Sequence, residues 1–102
     1  MEKPKNKFIV PPDNLEEWLI ENPDLIYNRS LETSENILNS PKISEDLLLE
    51  FQWESATYAK IYMKRKDIES ALKKSIDYFV RVELYEKAQK GKNILDRFTE
   101  NS

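Results

Sequence analysis

All five prolines of the sequence lie within residues 1–41, and its one glycine is Gly91. Nothing between Lys42 and Lys90 is a helix breaker, whereas the first forty residues are interrupted repeatedly. Residues 1–12 read as an extended arm, because Pro4, Pro11 and Pro12 disfavour helix at the residues before them. Within that arm "KFIV" suits a short strand or a groove. Residues 13–41 read as short helices and loops. In "DNLEEWLIEN", Asp13 is a cap, Glu16 follows three residues later, and Leu15, Trp18 and Leu19 share a face. Pro23 ends that helix, and the apolar cluster of Leu25, Ile26 and Tyr27 follows in a less regular segment.

Residues 42–92 form the longest uninterrupted stretch and read as one long amphipathic helix or a helical hairpin. Ser44 is placed as the cap, and Glu45 and Asp46 sit where the helix dipole favours acids. Leu47, Leu48, Phe51, Ser55, Tyr58, Ala59 and Tyr62 follow i, i+3/i+4 spacing. Ile68, Leu72, Ile76, Phe79 and Val82 or Glu83 continue the stripe, and Gly91 is read as its end. A single rod would be about 45 residues and roughly 65–70 Å long. The hairpin would turn at "KRKD", with Asp67 capping a second helix. Residues 93–102 are left as a C-terminal tail with Ile94, Leu95 and Phe98 as a docking patch. The fold expected is all-α, with an apolar flank that something else must cover.

Composition narrows function. The 102 residues suit one small domain, which buries only about 60–70% of its unfolded surface. Charged residues at 34% make the chain polar, yet 11% aromatics exceed what disordered chains carry. With no cysteine there is no disulfide, thiol nucleophile or thiolate metal site, and with no histidine the usual proton shuttle is missing. The expectation is a non-enzyme without cofactor or metal. No apolar run approaches the length of a signal peptide core or a membrane span, so a soluble, cytoplasmic protein is expected. Residues 1–57 carry a net charge of −7 and residues 58–102 a net +4, a split that favours head-to-tail contact within or between chains.

Three sets of residues are candidates for function. Phe51, Trp53, Tyr58, Tyr62 and Met63, with Trp18 and Leu19, have the aromatic and methionine character of protein-interface anchors. Lys60, Lys64, Arg65, Lys66, Lys73 and Lys74, with Arg81, are the cations that could meet phosphate, although a pI near 5.1 opposes nonspecific nucleic-acid binding. Asp46, Glu50 and Glu54 form an i, i+4, i+8 carboxylate series, which reads as a solvated ridge rather than a cation site.

The spacing of Leu47, Glu50, Tyr58, Lys60, Ile68 and Leu72 is similar to the helical stretch of phage recombination-mediator proteins. These load recombinase onto single-stranded DNA, and the similarity covers less than a third of the chain. It implies an alternative, a phage- or plasmid-type accessory factor with a basic helix face for single-stranded nucleic acid. The primary reading is a noncatalytic small subunit, adaptor or inhibitor that binds a protein partner, or a second copy, through an aromatic-rich amphipathic helix.

Overall fold

A computed structural model of the chain describes residues 6–100. The architecture is mixed α and β, which corrects the all-α expectation. Strand β1 (Lys7–Ile9) leads through a 3-10 turn (Pro12–Asn14) into α1 (Leu15–Glu21) and α2 (Pro23–Asn39). Strands β2 (Glu45–Trp53) and β3 (Ala56–Lys64) follow, then a 3-10 turn (Arg65–Asp67), α3 (Ile68–Arg81) and α4 (Tyr85–Glu100). The sheet order is β1-β2-β3, with β1 parallel to β2 and β3 antiparallel to it.

The largest correction falls on residues 45–64, where a β-hairpin replaces the long helix and the helical hairpin. The residues themselves favour strand, because Phe51, Trp53, Thr57, Tyr58, Ile61 and Tyr62 are aromatic or β-branched. Two irregularities hide the period of two. The register slips between Leu47 and Leu49 and again between Phe51 and Gln52, so the apolar positions drift into a spacing that imitates helix. The turn is also unusual. Trp53 pairs with Ala56 across Glu54 and Ser55, whose φ angles are 51° and 65°. Positive φ at both positions is type I′ geometry, normally supplied by Asn-Gly or Asp-Gly.

The helices also depart from expectation. Residues 23–39 form one continuous helix in place of loops and short turns, with Pro23 at its first position, where a missing N–H costs nothing. Gly91 does not end a helix; it is buried midway along α4. A Cβ there would lie 2.8 Å from Ile76 Cγ1 and 3.3 Å from Leu31 Cδ2, so glycine lets α4 approach α3 and α2. Ile94, Leu95 and Phe98 are part of that same helix rather than a tail. Between α3 and α4, Glu83 takes φ 63° while the Leu84 N–H donates to the Phe79 carbonyl at 2.7 Å and the Glu83 N–H to Val80 at 3.1 Å. This is a Schellman closure built without glycine.

Two apolar cores result. Leu31, Ile37, Met63, Ile68, Leu72, Phe79, Ala88 and Ile94 join α2, α3 and α4 to the end of β3. Val10, Leu49 and Phe51 form the second, closed by Phe8, Trp18, Leu19, Ile26 and Tyr58. Leu48, at the first register slip, packs against both. No helix among the described residues is long and apolar enough to cross a membrane.

Candidate interaction surface

Most of the expected anchors are core. Phe51 is fully buried and Met63 nearly so. Trp18 lies 4.8 Å from Phe8 and 5.2 Å from Phe51 between ring centroids, the second contact edge-to-face. Leu19 packs beside them. The Tyr58 hydroxyl donates to the Val10 carbonyl at 2.6 Å, and burial together with the nearby Asp13 charge holds its pKa above the ordinary tyrosine value. Only Trp53 and Tyr62 of that set present large exposed surfaces, at 40% and 47%. The structure therefore divides the aromatic run between a core and two outward groups at different places on the hairpin.

The register assigns the remaining hairpin residues to faces. Lys7 pairs with Glu50, Ile9 with Gln52, Lys60 with Glu50, and Gln52 with Thr57. These side chains share the face turned away from the Phe8–Phe51 core, and Tyr62 lies two residues beyond Lys60 on the same face. Ile9 is 77% exposed on it, and the core that α1 and α2 help to close lies on the opposite face. Glu50 is the exception in burial. It lies beneath Lys7 Nζ at 3.6 Å and Lys60 Nζ at 4.0 Å, and accepts from Gln52 Nε2 at 3.1 Å and Thr57 Oγ1 at 3.4 Å. One carboxylate thus ties all three strands together.

The acidic series does not exist as a ridge. Glu50 is in this clamp, Asp46 accepts from the Leu47 N–H at 2.9 Å, and Glu54 sits in the hairpin turn. Among the described residues no cluster of three or more acids is arranged to hold a metal ion.

The basic residues are scattered over several elements, not gathered on one helix face. Arg65 acts as a clamp: its guanidinium donates to the carbonyls of Ile37 at 2.9 Å, Ser40 at 3.0 Å and Ile43 at 2.8 Å. It thereby satisfies the end of α2, where a helix leaves carbonyls unpaired. Lys60 belongs to the Glu50 clamp, and Lys73 pairs with Glu69 at 3.0 Å. Lys74 lines a separate shallow cleft with Asp67 and Tyr27. Arg81 ends α3. Lys64 and Lys66 flank a cleft of about 730 Å³ at the end of the hairpin, shared with Ser44, Glu45, Arg65 and Phe98. The residues that suggested a phage mediator-like helix are likewise dispersed, with Tyr58 and Lys60 on a strand and Ile68 and Leu72 on α3.

Two features have no clear trace in the pattern of the sequence. Arg29 donates to the Leu48 and Leu47 carbonyls at 3.1 and 3.2 Å, holding the strand where its register slips. At the α3–α4 corner, Val80, Val82, Leu84 and Tyr85 are all exposed. They flank the Schellman turn, which no glycine signals. No protein-family model, curated protein or solved structure matches the chain.

Proposed function

We propose that the chain is a noncatalytic interaction protein, a small subunit, adaptor or inhibitor that works by occupying a surface of a larger assembly. The contact is made by the β2–β3 hairpin rather than by a helix. The observation that supports this reading is the state of β3. It is a nine-residue strand at the sheet's edge, with no strand paired to its outer side among the described residues. An unpaired strand offers a row of backbone donors and acceptors that a partner can complete. Tyr62, on the open face of that edge strand, and Trp53, at the end of the central strand next to the hairpin turn, supply aromatic groups of the kind that dominate interface energetics.

The test uses the full chain as bait in an extract of its native host, with Trp53→Ala and Tyr62→Ala compared with the unaltered protein. Partner affinity is expected to fall at least about tenfold in one or both variants. Circular dichroism and melting are expected to stay unchanged, because neither side chain belongs to a core cluster. Equal capture by all three proteins would contradict the assignment of the surface.

A further inference from the structure

We infer that β3 and the cleft at its end receive an extended, acidic segment of a partner protein, added as a fourth strand. This rests on the reading above and specifies the chemistry of the partner.

Charge selects the occupant. Residues 56–66 contain Lys60, Lys64, Arg65 and Lys66 and no acid. Lys60 is partly neutralised by Glu50 at 4.0 Å, and Arg65 is occupied by carbonyls. Lys64 and Lys66 have no ion-pair partner among the described residues. A second copy laid along β3 would bring lysines near lysines, with opposed Cβ atoms only about 5 Å apart. Lysine on an edge strand is a recognised guard against such self-pairing. An acidic strand reverses that repulsion.

Shape gives the second argument. Lys64 is the last residue of β3, so the edge runs directly into the cleft of about 730 Å³. Lys64, Arg65 and Lys66 line that cleft, opposed by one carboxylate, Glu45, while Phe98 supplies an apolar wall. A strand leaving the β3 edge would place an acidic residue beside Lys64 and Lys66 and an apolar residue against Phe98. Alternating acidic and apolar side chains meet this requirement, because successive residues of a strand face opposite ways.

The experiment titrates the full isotope-labelled chain with the blocked hexapeptide Glu-Val-Glu-Val-Glu-Phe. Amide shifts concentrated in residues 56–66 and around Phe98 are expected. Lys64→Glu combined with Lys66→Glu should abolish them while leaving the rest of the spectrum in place. Methylating alternate backbone nitrogens of the peptide should also abolish binding, since strand addition needs those donors, and a Lys-for-Glu peptide should not bind. Undiminished binding of the methylated peptide would overturn strand addition. Absence of localised shifts at millimolar peptide, dimerisation through residues 56–66 in light scattering, or preferential binding of oligothymidylate there would overturn the acidic-segment assignment. If these tests fail while Trp53→Ala or Tyr62→Ala still releases the captured partner, only this inference falls. If those two variants also leave capture unchanged, the broader reading fails as well.

Discussion

Tyr58 illustrates how one hydroxyl changes the meaning of an aromatic-rich run. Its ring packs with the Val10–Leu49–Phe51 core, and its O–H reaches the Val10 carbonyl beyond β1. Folding therefore favours the protonated phenol, and the pKa is raised above 10.0 by burial first and by Asp13 second. The sign follows directly. The group's contribution to stability is complete below pH 10 and is lost as pH rises through the elevated folded value. In urea denaturation, the stability advantage of the unaltered protein over Tyr58→Phe is expected to be constant near neutrality and to shrink above pH 10. An advantage that grows with alkalinity would contradict the assigned hydrogen bond. Arginine shows the same separation between residue type and role. The sequence marks Arg65 as a phosphate-seeking cation, but its guanidinium serves the carbonyls of Ile37, Ser40 and Ile43. No spacing rule foretells a contact spanning 28 residues.

Among the elements, the hairpin turn carries the sharpest local conflict. Glu54 and Ser55 both occupy left-handed backbone, which costs a side-chain-bearing residue about 1–2 kcal/mol. Replacing the pair with Asn-Gly is expected to stabilise the fold by about 1 kcal/mol, raising Tm by about 4–8 °C. A lower Tm would mean that these side chains make stabilising contacts the backbone argument omits. This turn also explains what was legible in the sequence. The "DNLEEWLIEN" helix could be read from the local spacing of Leu15, Trp18 and Leu19, and it appears as α1 at Leu15–Glu21, although Asp13 lies in the preceding 3-10 turn and Asn14 takes the cap position without a side-chain hydrogen bond. The stripe of Ile68, Leu72 and Phe79 was readable for the same reason, and all three are buried in α3. The hairpin could not be read from alternation or turn type, since bulges disturb its period and the turn lacks Asn and Gly. Gly91 was visible but ambiguous, because the same residue suits a helix end and a close helix crossing. Trp53 and Tyr62 were recognisable as aromatic candidates, but Tyr62 differs from Tyr58 through the irregular register of β3, whereas Trp53 shares the face of Phe51 and is exposed at the end of β2.

At the scale of the molecule, the apolar flank that a long helix would have left uncovered is enclosed within the chain itself. Two cores meet at Leu48, and α4 closes the larger through Ala88, Gly91 and Ile94. The need for a partner consequently moves from covering a helix to completing a sheet. Among the surfaces left for contact are the edge and open face of the hairpin, the Val80–Val82–Leu84–Tyr85 corner, and the exposed Ile20 and Leu25 of α1 and α2. Amide hydrogen exchange on the full chain, with and without the partner it captures, distinguishes them most directly. Added protection in residues 56–66 and little change in residues 80–85 are expected. Protection confined to residues 80–85, with the β3 edge exchanging as it does in the free chain, would contradict completion of the sheet by a partner.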